Sequence, residues 1–352
     1  MADIKLDKIT KDYGKHKGVF DLDLQIKSGE FFVILGPSGC GKTTTLRIIA
    51  GLETPDSGRV YLDDVDITDY PPKDRNMSMV FQNYALYPFM SARDNIAFPL
   101  KKKKMSKQDI NRKVEEIAET LSISDILDKK PGQLSGGQRQ RVALARAIVK
   151  EPKVFLMDEP LSNLDAKLRI SMRAELKNIQ RKLGITTVYV THDQIEAMTL
   201  ADRTAILDGG KLVQLDSPLK IYEQPATIFV AGFMGDPPIN FIDVEIENSG
   251  EQSIIHVGSQ SFTLSGNIPV KKAVLGIRPE DVRVSEKGLK AKLYFEQVLG
   301  SRYIQHFKLD GLDKDVLSVS THAQYKDGEQ YYITFTEGKI FLFDKETGKR
   351  IL

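Results

Sequence analysis

Apolar and polar positions alternate through the first thirty residues (Ile4, Leu6; Leu22, Leu24, Ile26), the period of half-buried strands. Residues 31–35 are apolar without interruption, which predicts a strand buried on both faces. A glycine-rich turn follows, and then a helix predicted over 43–50 and closed by Gly51. Ile110, Val114, Ile117 and Leu121 fall at helical spacing and predict a helix over 106–128. A second helix is predicted over 136–150, with Val142, Ala145, Ile148 and Val149 on one face. Residues 154–157 read as another fully apolar strand, 166–183 as a helix and 186–190 as a β-branched strand. Strands alternating with helices imply a parallel sheet covered on both faces. The pattern changes at Gly235-Asp236-Pro237-Pro238. Beyond it, short alternating runs at 241–246, 253–257, 292–295, 331–335 and 339–343 are separated by Gly, Asp and Asn. They predict an all-β barrel or sandwich. The expected division is an α/β domain over 1–235 and a β domain over 236–352.

Composition narrows the function classes. In 352 residues, 50 Lys and Arg against 48 Asp and Glu leave a formal charge of +2, which argues against a polyanion-wrapping protein. No apolar stretch approaches the ~20 residues of a membrane-spanning helix. The first residues, Met1-Ala2-Asp3-Ile4-Lys5, lack the basic-then-apolar pattern of a secretory signal. Cys40 is the only cysteine, so no disulfide forms within the chain and a reducing compartment is expected. The run Lys101-Lys102-Lys103-Lys104 reads as a solvated loop.

Gly36-Pro37-Ser38-Gly39-Cys40-Gly41-Lys42-Thr43 fits G-x-x-x-x-G-K-[ST] between a predicted strand and a predicted helix. Glycines let the backbone bring its N–H groups against phosphate oxygens, and the positive end of the helix, with Thr44 in its first turn, adds to the cradle. Lys42 supplies a point charge for the β- and γ-phosphates, and the Thr43 hydroxyl a ligand for Mg²⁺. The strand over 154–157 ends in Asp158 and Glu159, at the carboxyl end where ligands sit in open α/β sheets. Asp158 is suited to hold Mg²⁺ and Glu159 to accept a proton from an attacking water. Leu134-Ser135-Gly136-Gly137-Gln138 opens a helix and so makes a second anion-binding terminus. One nucleotide needs only one cradle, which suggests that the second serves a different γ-phosphate.

These motifs together resemble the ATP-binding cassette family, over residues 1 to about 235. The resemblance implies an ATPase with antiparallel β and helical subdomains, the latter about 84–150, acting as a head-to-tail homodimer with two ATP molecules buried at its interface. Ser135, Gly137 and Gln138 of one subunit would then contact the ATP held by Lys42 of the other. It also implies that Tyr13 stacks on adenine, that Gln82 reaches Mg²⁺ and the attacking water, and that Asp165 belongs to a loop facing the opposite subunit. His192 resembles the switch histidine at the γ-phosphate. His16, His256, His306 and His322 match nothing in the family pattern.

Within the family, Phe81–Pro88 (FQNYALYP), PLSNLDAK from Pro160, HDQIEAM from His192 and FVAGFMGDPPIN from Phe229 are similar to the subunits that power carbohydrate importers. Gly276-Ile277-Arg278-Pro279-Glu280-Asp281 resembles the small oligonucleotide-fold-like, TOBE-type β domain that follows the cassette in that subclass. The implied partners are a second copy, two transmembrane permeases and, indirectly, an extracytoplasmic solute-binding protein, with the chain at the cytoplasmic face of the membrane. Met90-Ser91-Ala92-Arg93-Asp94-Asn95 departs from the usual Thr-Val-x-Glu pattern, on the surface that faces the permease. The same architecture also serves importers of polyamine, sulfate, iron, phosphonate and glycerol phosphate. A cassette ATPase with no transport role is a rival reading, but Lys42 to Ser135 spans 135 − 42 = 93 positions without a long coiled coil. A nucleic-acid-binding barrel is another, resting on Tyr294, Phe295, Tyr303, Tyr331, Tyr332 and Phe335; these read as packing, and no nucleic acid is expected.

Overall fold

The computed structural model describes residues 2–15, 17–321, 325–326 and 328–352, so His16 and His322 lie outside the described residues. The chain divides into two compact units, residues 1–219 and 220–352.

In the first unit the alternating strands Ile4–Asp12 and Gly18–Ile26 pair antiparallel with each other, and Ser57–Leu62 and Val65–Asp66 extend the sheet. The fully apolar Phe31–Leu35 and Val154–Asp158 lie inside a second sheet of six strands, as uninterrupted hydrophobic runs should. Its order is Lys211–Asp216, Arg203–Asp208, Phe31–Leu35, Thr186–Thr191, Val154–Asp158, Met77–Val80, parallel except for the first pair. Register sets up the chemistry. Leu35 lies opposite Thr191, Asp158 opposite Val190 and Val80 opposite Met157. The residues that leave the sheet at this edge are therefore Gly36, His192, Glu159 and Phe81-Gln82. One buried cluster, including Ile4, Leu22, Phe32, Ile34, Leu46 and Val188, joins the two sheets.

Helices cover this framework. Lys42–Ala50 ends in the left-handed Gly51, as the sequence predicts. The helix expected over 106–128 stops earlier: Lys107–Thr120 is closed by Leu121, and Ser122 then takes a positive φ of 52°. Ala92–Lys102, a helix that the sequence pattern does not predict and that carries Pro99 in its interior, is capped by Ser91, whose hydroxyl accepts from the Asp94 N–H. The departure at Met90–Asn95 therefore keeps the element intact, and buried Asn95 ties Tyr87, Met90 and Ser91 to it through their carbonyls.

The second unit holds two five-stranded antiparallel sheets among the described residues, Asn240–Ser249 with its neighbours and Leu289–Leu299 with its neighbours. Their facing apolar positions, among them Val244, Ile255, Leu275, Leu293, Phe307 and Ile333, form one core. Helix Ile228–Phe233 belongs to this unit because Ala231 packs with Ile239, Val274, Phe341 and Phe343. The compact division thus falls ahead of the change in sequence pattern at Gly235. Arg278, only 2% exposed, joins two of the segments that carry the subclass resemblance. It donates to the Met234 and Tyr222 carbonyls and stacks 3.6 Å over the Tyr222 ring, whose hydroxyl donates to Glu280.

Candidate functional site

The turn after Leu35 has little room for side chains. A Cβ at Gly36 would meet the Leu207 carbonyl at 2.3 Å, and one at Gly41, where φ is +98°, would meet the Gly18 carbonyl at 2.6 Å. At Gly39, φ +81°, there is open space, so that glycine serves conformation rather than clearance. Gly41 caps helix Lys42–Ala50 with no side-chain hydrogen bond, which leaves the first-turn N–H groups of Lys42, Thr43 and Thr44 available to an anion. Ser38 and Gly39 are exposed at the mouth of this cradle. The Lys42 ammonium is turned inward and donates to the Gly36 and Pro37 carbonyls, each at 2.9 Å.

Cys40 is 3% exposed, and burial pushes its thiol pKa up against the opposing pull of Lys42. A buried, protonated thiol is a poor nucleophile. Its size matters instead, because the Sγ packs against the Cα of Gly36, where a Cβ would lie 2.7 Å away.

Thr43 Oγ1 donates to Asp158 Oδ1 at 3.0 Å. Burial raises the Asp158 pKa, Thr43 opposes that, and the neighbouring Glu159 charge adds to it. A cation beside these two oxygens would relieve both burdens, so the pair fits a hard oxygen-seeking ion. Glu159 takes a left-handed φ of 44°, a strained geometry held by its N–H on the Val190 carbonyl and by Ser162, which donates to the Glu159 carbonyl twice. Its carboxylate meets His192 Nδ1 at 3.1 Å. His192 is exposed at the end of strand Thr186–Thr191, and Asp193 caps the following helix Gln194–Leu200.

Gln82 is exposed, and its carbonyl accepts from Asn163 Nδ2 at 2.9 Å. The loop carrying Gln82 is thereby bonded to the loop between Glu159 and Asp165. Asn163 was missed as a site residue, though it lies inside the Ser-Asn-Leu-Asp string that the sequence singles out. Tyr13 is exposed just past strand Ile4–Asp12. Its phenol pKa is raised first by partial burial and then by Glu53, with the Thr44 hydroxyl acting the other way. The Lys11 ammonium lies 5.7 Å from the centroid of its ring.

The structure thus brings Lys42, Thr43, Asp158, Glu159 and His192 together. Ser135, Gly137, Gln138 and Asp165 share no hydrogen bond or ion pair with those five among the described residues. Ser135 caps helix Gly136–Ile148 in a reciprocal box: its hydroxyl accepts from the Gln138 N–H, and the Gln138 side chain accepts from the Ser135 N–H. Asp165 caps helix Ala166–Leu183, whose Leu168 lies 2.9 Å from where a Gly137 Cβ would be. Ser135 itself is exposed.

Comparison with known proteins bears on this geometry. Residues 19–162 match the ABC transporter family, and residues 275–343 match the TOBE domain. The chain is 48% identical to the trehalose/maltose import ATP-binding protein MalK of Thermococcus litoralis, over 100% of both chains. It belongs to the ABC transporter family. Another member, the sn-glycerol-3-phosphate import ATP-binding protein UgpC of a Ruegeria species, is 46% identical over 100% of this chain and 99% of its own. Among solved structures, a dimeric ATP-binding cassette in a post-hydrolysis state, bound to ADP and Pi, superimposes with a TM-score of 0.55 at 34% identity. It covers 61% of this chain and 98% of its own. The chain is therefore an ABC-type ATPase whose P-loop domain precedes an all-β domain of the TOBE type.

Proposed function

We propose that this ATPase is the energising subunit of a carbohydrate importer, working as a head-to-tail homodimer bound peripherally to the cytoplasmic face of a membrane through two permease subunits. A solute-binding protein outside the membrane would deliver the sugar. The observation that carries the reading is the meeting of two pairs at one sheet edge, Thr43 with Asp158 and His192 with Glu159, beside Lys42. In-line attack on a γ-phosphate asks for charge neutralisation and a positioned water rather than covalent help. Lys42 would neutralise the β- and γ-phosphates, and exchange its two carbonyl partners for their oxygens. Glu159 would take the proton of the attacking water, and His192 would hold the carboxylate in place and contact the γ-phosphate. Mg²⁺ would supply positive charge to the phosphates, and Thr43, Asp158 and Gln82 are the residues suited to hold it. Tyr13 would stack on the adenine.

One face of the phosphate stays open in a single chain. The exposed Ser135 with Gly137 and Gln138 would close that face from a second copy, with Asp165 at the same seam. The permease is assigned to a groove of about 440 Å³ next to Gln82, lined by Phe81, Ala85, Tyr87, Phe98, Pro99 and Arg146 among others. Its walls come both from the six-stranded sheet and from the helices, so closure of the dimer would reshape it. Among the described residues no helix is long and apolar enough to cross a membrane. A sugar is favoured by the relative that imports trehalose and maltose, and glycerol 3-phosphate is the second reading because a relative of nearly equal identity carries that name.

Glu159→Gln keeps the shape of the site and removes the base, so hydrolysis should fall 10²- to 10⁴-fold while saturating Mg-ATP converts the chain to a stable dimer. Light scattering coupled to size exclusion reads the mass directly. A variant that stays monomeric in excess ATP rules out the shared-nucleotide dimer.

A further inference from the structure

The helix opened by Ser135 also reaches the loop of Gln82 from its other end. Arg146, in its last turn, donates from Nη1 to the Ala85 carbonyl at 2.7 Å and from Nη2 to the Tyr84 carbonyl at 2.8 Å. The guanidinium lies 5.6 Å from the Tyr87 ring centroid. Among the described residues Arg146 has no carboxylate partner, and the two carbonyls and the ring hold it.

The backbone it grips is an unfavourable one. Tyr84 and Ala85 follow each other with φ of 62° and 46°, in the left-handed region that non-glycine residues avoid. The two terminal nitrogens of one guanidinium take one carbonyl each, a division that suits a planar fork and not a point charge. The Tyr84 side chain is 6% exposed, and its hydroxyl has no partner among the described residues. On the same helix, Gln140 is fully buried with neither amide atom paired among the described residues. A strained turn and an unpaired buried hydroxyl therefore meet at the contact that Arg146 makes, where a fully satisfied packing would be expected of a passive interface.

We propose that Arg146 is a positioning residue for hydrolysis: it holds the turn Tyr84-Ala85 and thereby sets Gln82 relative to the helix that begins at Ser135. Gln82 is then suspended between two anchors. Asn163 fixes its own carbonyl to the loop of Glu159 and Asp165, and Arg146 fixes the residues two and three places beyond it to the helix of Ser135. Movement of that helix, when a second copy's nucleotide engages Ser135, is delivered to Gln82 through the fork. The inference rests on the assignment of Gln82 and Ser135 made under the proposed function.

Arg146→Lys keeps the charge and removes the fork, and Ala85→Val attacks the same turn from the other side, since a β-branched residue does not tolerate its φ. In the full-length dimer, either substitution should lower kcat at least tenfold, with the affinity for a fluorescent ATP analogue unchanged within twofold. Hydrogen exchange of the amides over 82–87 should speed up at least tenfold, with exchange in 136–145 and in 240–343 unaltered. Both variants at wild-type kcat overturn the proposal. So does a loss of kcat matched by a general rise in exchange, which marks Arg146 as structural only. If one variant fails to fold, the other decides. Glu159→Gln is measured in parallel: if it hydrolyses ATP normally, the site assignment fails and this inference with it, whereas a dead Glu159→Gln beside normal Arg146→Lys and Ala85→Val proteins removes the inference alone.

Discussion

Glu196 lies in the helix just beyond His192, 3% exposed, and its Oε2 accepts from the Tyr189 hydroxyl at 2.8 Å and the Thr191 hydroxyl at 2.6 Å. Thr191 in turn accepts from the Asp193 N–H, so the carboxyl braces both sides of His192. Burial raises the Glu196 pKa, the two hydroxyls oppose it, the Asp193 charge adds to it and Arg169 works against it. The sign of the linkage follows. A carboxyl whose folded pKa lies above its ordinary value near 4.5 binds its proton more tightly when native, so stability is lost as pH rises from 4.5 through the folded value. Glu196→Gln keeps an acceptor for both hydroxyls and removes the charge. Its melting temperature should exceed that of the wild type at pH 7.5, and the gap should close as pH falls toward 4.5. A constant gap across that range shows that the carboxyl is not the titrating group.

At the scale of an element, the N-terminus of helix Gly136–Ile148 has two duties to separate. Ser135 caps it, and a cap of this kind stabilises by about 1 kcal/mol over alanine, whereas glycine gives up only a few tenths. Ser135→Gly should therefore leave the thermal midpoint nearly unchanged, yet remove the hydroxyl proposed to meet the second copy's nucleotide. The ATP concentration needed for dimerisation of the Glu159→Gln protein should rise about tenfold, equivalent to ~1.4 kcal/mol; an unchanged requirement leaves the hydroxyl with the cap alone. The start of this helix was legible in the sequence, because a serine and two glycines opening an apolar-periodic run are a local signal, and the reciprocal cap was there to be read in Ser-x-x-Gln. So were the strands over 31–35 and 154–157 and the cradle between Leu35 and Lys42, whose residue types are dictated by burial and backbone geometry nearby. Long-range pairings were not. Nothing adjacent in sequence announces that Asn163 bonds to Gln82 or that Arg146 reaches Tyr84 and Ala85, because arginine and asparagine are common on helices and loops whatever they touch. The helix Ala92–Lys102 was hidden by Pro99, and the five-residue strand Val316–Ser320 by its two serines, one of which, Ser318, is buried and donates to the Val282 carbonyl.

On the scale of the whole molecule, each unit has a core of its own, one joining the two sheets before residue 219 and one between the two sheets beyond it. Arg278 is the test of how self-sufficient the second is. Burial lowers its pKa, its Nε has no partner among the described residues, and its fork satisfies carbonyls at Tyr222 and Met234. Gly235 takes a φ of +125°, a conformation that strains any residue with a Cβ, and a Cβ there would also lie 2.7 Å from the Arg278 Nη1. Arg278→Met fills much of the volume but strands both carbonyls and releases Tyr222 and Glu280 from their shared cation. Each buried acceptor left unpaired costs about 1–3 kcal/mol, so the loss of both should weaken the local structure by roughly 2–6 kcal/mol. Hydrogen exchange in the full chain should rise over 222–235 and 272–281 and stay unchanged over 31–50 and 154–165. Basal ATP hydrolysis should persist, since no residue of the cradle depends on that core. A parallel loss of ATPase activity and of protection around Lys42 shows that the two cores unfold as one and that the β unit is part of the engine's own stability.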